Sequence, residues 1–182
     1  MKELSLNILD IAQNSISAGA SLIEISIIED DETMTISVKD NGCGMSKELR
    51  ETVSDPFTTT RKTRKVGLGI PFFSLAAMQT GGNLKIESKT ASEDPENHGT
   101  TIKALFYKNH IDFTPLGDII STLCTLIQSC KDYDIVFIHE FADGSTVSAD
   151  TREFKEALDG VPLDNPEVII WIRDYLAEQY KK

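Results

Sequence analysis

The stretch Lys39-Asp40-Asn41-Gly42-Cys43-Gly44-Met45 constrains this chain more than any other. It follows Met34-Thr35-Ile36-Ser37-Val38, whose alternation of apolar and polar residues predicts a half-buried strand. The strand ends on a carboxylate, and two glycines separated by one residue come next. Glycine lets the backbone turn with positive φ and lets a flat ligand approach where a Cβ would obstruct it. The Asp40 carboxylate is suited to accept a hydrogen bond from an exocyclic amine, of which adenine carries one. A plain strand-to-helix turn is the alternative reading of this segment taken alone.

The preceding segment, residues 3–18, has helical periodicity. With Asp10 at zero and about 100° per residue, Leu4, Ile8, Leu9, Ile11, Ala12 and Ile16 fall on one arc, from roughly 100° to 260°. Asp10, Asn14 and Ser17 share the opposite face, which reads either as solvated surface or as the wall of a site. Leu22–Ile28 and Thr33–Lys39 alternate as two strands joined by the polar turn Glu29-Asp30-Asp31-Glu32, a hairpin. Ser46 is placed to cap a short helix reaching about Val53. Residues 55–65 contain three consecutive hydroxyls and four cations within five residues. That composition suits either a segment that closes over phosphates or a basic surface loop. Val66-Gly67-Leu68-Gly69-Ile70 opens a helix running to about Thr80; glycines at a helix start leave backbone N–H groups free for an anion. Strands are expected at 83–88 and 100–107, with a polar loop between them.

Residues beyond about 110 predict a helix opened by Thr114-Pro115, with Leu116, Ile119, Ile120, Leu123, Leu126 and Ile127 inward. A hairpin over 134–149 follows. Asp150 and Glu153 resemble a capping box ahead of Phe154–Leu158. A final helix starts at Asn165-Pro166, with Val168, Ile172, Tyr175 and Leu176 on one face.

In its first part the chain resembles the GHKL superfamily of ATP-binding domains, which covers histidine kinases, gyrase B subunits, heat-shock chaperone ATPases and MutL proteins. Residues 10–20 resemble the asparagine box in its MutL-like form, and residues 40–45 the first glycine box. Asp55-Pro56-Phe57-Thr58-Thr59-Thr60 looks like the phenylalanine box that begins the lid of histidine kinases. Gly67-Leu68-Gly69-Ile70 is similar to the second glycine box in its kinase form, and residues 99–102 to the late strand whose threonine completes the adenine site. The order helix, strand pair, lid, helix, strand pair predicts an α/β two-layer sandwich over residues 1–108, a mixed sheet with helices on one face; residues 109–182, which match no family motif, are expected to form a small α-β-β-α-α extension packed on it.

The resemblance implies ATP and Mg²⁺ as ligands. Asn14 would hold the metal, Asp40 would read the adenine amine with Thr100 supporting it through water, and Gly42 and Gly44 would give the base room. Gly67 and Gly69 would present N–H groups to the phosphates, and Lys62 or Lys65 would meet the γ-phosphate. Met45, Phe57, Thr59 and Leu68 belong to the same nucleotide set. Family ATPases place a glutamate four residues before the asparagine to activate water. Here that position is Asp10, a carboxylate one methylene shorter and the candidate catalytic base.

The formal charge of −11, from 29 acidic against 18 basic residues, disfavours nucleic acid and anionic membrane as partners. Three cysteines in no metal-ligand spacing read as free thiols in a cytoplasmic protein. The expected function is Mg-ATP hydrolysis or transfer of the γ-phosphate to a protein partner, with the C-terminal extension making the partner contact. A nucleotide-gated binding module with little turnover is the alternative, and a MutL-like repair ATPase a weaker one.

Overall fold

The computed structural model describes residues 2–53 and 69–181. Its elements are α1 (Leu4–Ser17), β1 (Leu22–Glu29), β2 (Thr33–Asp40), α2 (Lys47–Val53), α3 (Gly69–Gln79), β3 (Asn83–Lys89), β4 (Gly99–Tyr107), α4 (Ile119–Gln128), β5 (Asp134–Glu140), β6 (Thr146–Asp150), α5 (Thr151–Ala157) and α6 (Pro166–Gln179).

The strands form one six-stranded sheet in the order β3-β4-β2-β1-β5-β6. It is mixed: β1 pairs antiparallel with β2 and parallel with β5, and the remaining ladders are antiparallel. The period-2 pattern of the sequence explains which face is covered. Ile23, Ile25 and Ile27 of β1, Ile36 and Val38 of β2, and Ala104 and Phe106 of β4 are all buried. They meet Leu4, Ile8, Ile11 and Ala12 of α1, Ile70 and Phe73 of α3, and Leu123 and Ile127 of α4 in one apolar cluster. The other face carries Glu24, Lys39, Lys85 and Glu87, paired as Lys39–Glu24 at 2.6 Å and Lys85–Glu87 at 2.5 Å. The α/β sandwich with a mixed sheet is therefore the observed architecture.

The α-β-β-α-α order of the C-terminal residues is also observed, but β5 and β6 continue the same sheet past β1. The start of α4 differs from expectation. Thr114-Pro115 does not open the helix; Asp118 does, its carboxylate accepting the Ser121 N–H at 2.9 Å. The reason is tertiary. Glu3 offers α1 no side-chain cap, and the carbonyls of Pro115 and Leu116 accept from Leu4 N–H and Ser5 N–H at 2.9 and 2.8 Å instead. Non-helical backbone at 115–116 serves the orphan donors of α1, as helix ends require. One expected face shifts as well. Tyr175 of α6 is half exposed and stacks on Trp171 rather than lining the core. On α3 the exposed side carries Phe72, Leu75 and Met78 while Ile70, Phe73 and Ala77 are buried.

Candidate nucleotide site

Asp40 is the last residue of β2, flanked across the ladders by Ile23 of β1 and Thr100 of β4. Only 9% of it is exposed. Burying a carboxylate is expensive unless donors surround it, and here they do. Oδ2 accepts the Ser15 hydroxyl at 2.7 Å, and Oδ1 accepts Gly42 N–H at 2.9 Å and Thr100 N–H at 3.3 Å. A carboxylate offers about four acceptor positions. Three are filled by donors of α1, the glycine turn and β4, which fixes the orientation and leaves a position for a further donor.

The turn after Asp40 is held against the end of α1. Cys43 N–H donates to the Ala18 carbonyl at 2.9 Å. A Cβ on Gly42 would stand 3.0 Å from Ala18 Cβ and 3.1 Å from Asp40 Oδ1. Gly44 has φ +70°, and a Cβ there would fall on the Lys89 carbonyl. Asn41 anchors the turn from its other side: Oδ1 accepts Ser21 N–H and Leu22 N–H, each at 2.9 Å, and Nδ2 donates to Ser21 Oγ at 2.8 Å. Met45, next in line, donates its N–H to Ser88 Oγ at 2.7 Å. Ser88 in turn contacts Thr100 Oγ1 at 2.8 Å, and His98 Nδ1–H donates to the Gly42 carbonyl at 2.7 Å.

Asp10 and Asn14 lie one turn apart on α1, both half-buried. Asn14 Nδ2 is buried and has no hydrogen-bond partner. Such an orphan in a native fold calls for an explanation, and a ligand is one. Gly69, the first residue of α3, has no room for a side chain: a Cβ would stand 2.7 Å from Asp10 Cβ. The start of α3 therefore rests directly on Asp10, so the asparagine box meets the second glycine box there. Of the α1 polar stripe, Ser17 is exposed and its hydroxyl returns to the Gln13 carbonyl at 2.9 Å.

The structure thus gathers Asp40, Gly42, Gly44, Met45 and Thr100 into one cluster, and Asp10, Asn14 and Gly69 into a neighbouring one on the same helix. Phe57, Thr59, Lys62, Lys65, Gly67 and Leu68 lie outside the described residues. Ser15, Asn41, Ser88 and His98 belong to the cluster without having been singled out. Two of them carry a signal in the sequence. Ser15 sits near 140° on the α1 wheel, inside the apolar arc, where a hydroxyl needs a partner. Ser88 shares its strand face with Leu84 and Ile86 and is itself buried.

A mixed sheet backed by helices, with a buried acceptor at a strand end and a glycine turn over it, defines an α/β nucleotide-binding domain. The family model for histidine kinase-, DNA gyrase B- and HSP90-like ATPases matches residues 1–110, and the chain belongs to that family. Family membership supports ATP binding. Among relatives, the signal transduction histidine-protein kinase AtoS of Escherichia coli is 33% identical over 88 residues, 48% of this chain and 14% of that protein. The DNA mismatch repair protein MutL of Dictyoglomus turgidum is 35% identical over 91 residues, 47% of this chain and 16% of that protein. The chain thus spans under a fifth of the length of these relatives. The fold is similar to that of the Aquifex aeolicus MutL ATPase domain complexed with ADP, with a TM-score of 0.56 at 14% identity, covering 87% of this chain and 70% of that one. It is also similar to the N-terminal domain of a DNA repair protein, with a TM-score of 0.54 at 17% identity, covering 82% of this chain and 53% of that one.

Proposed function

We propose that this chain binds Mg-ATP and either hydrolyses it or transfers its γ-phosphate to a protein partner. The observation that carries the proposal is the Asp40 carboxylate, buried and fixed by three donors with an acceptor position left over. An adenine 6-amine supplies the missing donor; guanine presents a carbonyl at that edge, so acceptor would face acceptor. In this reading Gly42 and Gly44 keep the turn thin enough for the base, Met45 lies beside it, and Thr100 supports Asp40.

Asn14 fits a Mg²⁺-nucleotide: its unpartnered Nδ2, a donor, would meet a phosphate oxygen. Its side-chain oxygen would hold the ion, with phosphates and waters completing the coordination. When bound, the metal neutralises charge on the phosphates. Asp10, one turn earlier, is placed to accept the proton of an attacking water or hydroxyl. Gly69 begins α3 beside it and presents N–H groups to the phosphates. The remaining roles, those of the lid cations and of Gly67, fall on residues 55–68. Asp10 is one methylene shorter than a glutamate, and this favours a second reading, a nucleotide-gated binding module with slow turnover. Either reading gives residues 109–182 the partner contact, supported by Ile170 and Trp171 standing 50% and 46% exposed on α6. A cytoplasmic location is part of the proposal; no helix among the described residues is long and apolar enough to cross a membrane.

Calorimetry with Mg-ATP and Mg-GTP tests the site. ATP is expected to bind much the tighter, and Asp40→Ala to lose about 2–4 kcal/mol of ATP binding, as for a charge-assisted hydrogen bond in a closed pocket. Equal affinity for the two nucleotides overturns the assignment. Phosphate release on incubation with Mg-ATP identifies hydrolysis, and label passing from γ-phosphate to a co-purified protein identifies transfer.

A further inference from the structure

We propose that Ser88 is a positioning residue that sets the direction of the proton on Thr100, making the Thr100 hydroxyl an acceptor toward the base. The inference rests on the reading of Asp40 as the adenine acceptor. It follows from counting protons around Ser88 Oγ, which is 4% exposed. Met45 N, at 2.7 Å, is a donor and nothing else, so Ser88 accepts there. The Gly99 carbonyl, at 2.9 Å, is an acceptor and nothing else, so the one hydroxyl proton of Ser88 goes to it. The third neighbour, Thr100 Oγ1 at 2.8 Å, then has to donate to Ser88. With its own proton turned inward, Thr100 presents only lone pairs outward. Ser88 is itself held in place, since its carbonyl accepts from the Arg50 guanidinium, which also pairs with Glu93 at 3.2 Å.

Thr100 reaches Asp40 through its backbone N–H, so the two acceptors stand side by side at the site. Both then demand donors. The 6-amine satisfies Asp40, and a water that donates one proton to Thr100 Oγ1 has its second proton for ring N1 of adenine. Ser88, which touches no base in this arrangement, thereby fixes the hydroxyl that holds this water beside N1.

Calorimetry on the full chain with ATP, purine riboside triphosphate (which lacks the 6-amine) and 1-deaza-ATP (in which C–H replaces N1) tests this. The parent is expected to lose about tenfold in affinity for each analogue, the size of one hydrogen bond in a closed site. In Ser88→Ala the Thr100 hydroxyl loses the partner that fixes it and is free to turn away from the water, so the 1-deaza penalty should fall below about threefold while the penalty for the missing amine persists. A loosened fold would weaken all three nucleotides alike. Thr100→Val keeps the bonds of Ser88 to Met45 and Gly99 and should remove the 1-deaza penalty on its own. Retention of the full penalty in either variant overturns the proposal, and Thr100→Val decides it if Ser88→Ala fails to fold. A parent that binds purine riboside triphosphate as tightly as ATP has a different meaning: it overturns the Asp40 reading and this inference together.

Discussion

Asp10 and Asn14 are neighbours on one helical face, yet they should fail differently when changed. In the proposed reading Asn14 offers an amide to a metal whose charge compensation matters before and during reaction. Asn14→Ala should therefore weaken Mg-dependent ATP binding and abolish turnover with it. In the same reading Asp10 matters only to a proton that moves during the reaction. Asp10→Asn should leave ATP affinity within about threefold and lower any turnover by about 10²–10⁴. Asp10→Glu should raise turnover if reach is the limitation. Unchanged phosphate release from Asp10→Asn shows that Asp10 is not the base and moves weight to the binding-module reading. Ser15 belongs to the same scale. Ser15→Ala leaves a buried carboxylate oxygen short of its nearest donor, at 2.7 Å, and should cost about 1–3 kcal/mol of stability in chemical denaturation.

The glycine turn between β2 and α2 was legible as a motif, but its two glycines do different physical work. Gly44 combines φ +70° with a Cβ position occupied by the Lys89 carbonyl. Gly44→Ala has to move backbone, and its effect should be global, on the order of 1–3 kcal/mol of stability or more. Gly42 has no such φ; its Cβ would crowd Ala18 and Asp40 Oδ1, at 3.0 and 3.1 Å. Gly42→Ala should disturb nucleotide binding more than folding. Thermal melts and calorimetry on the two variants check the split, and a Gly44→Ala protein melting with the parent contradicts it. At this scale the sequence placed strands well because one buried face imposes strict alternation. It placed the start of α4 badly, because Pro115 and Leu116 answer to donors on α1, more than a hundred residues away in the chain.

Over the whole molecule, β5 and β6 tie the C-terminal residues into the sheet, and a buried polar chain ties α6 to both halves. His139 of β5 is 1% exposed. Its Nε2–H donates to Glu29 Oε1 at 2.9 Å, and its Nδ1 accepts the Tyr180 hydroxyl at 2.9 Å. Glu29, at the end of β1, also pairs with Lys108 beyond β4, at 2.9 Å. Burial holds the His139 pKa below its ordinary 6.5, against the pull of the Glu29 carboxylate. The unfolded chain therefore takes up this proton first as pH falls. The stability contributed by neutral His139 is complete above the unfolded value of 6.5 and is lost as pH drops below it. His139→Gln should be less stable than the parent near neutral pH, and the gap in melting temperature should narrow between about pH 7.5 and about pH 5.5. A constant gap rules this out. A chain ended at Lys108 would expose the β1 edge that β5 covers and uncover the side of α1 that meets α4. It should melt well below the full chain or aggregate, as unpaired apolar edges do.

By itself the sequence determined the family, the strands of the sheet and the first helix, and it pointed to Asp40, Asn14 and the two glycines as candidates. Those features are local: periodicity, a turn that needs glycine, and residue types at short spacings. Tertiary structure alone decided how Asp40 is held, because Ser15 comes from α1 and Thr100 from β4, brought together by strand register. It decided that Ser88 orders the hydroxyl of Thr100, because the two share a rung only once β3 pairs with β4. It also decided that residues 134–150 extend the sheet in parallel with β1, since the edge a strand joins depends on which apolar face needs cover, and no spacing in the chain records that.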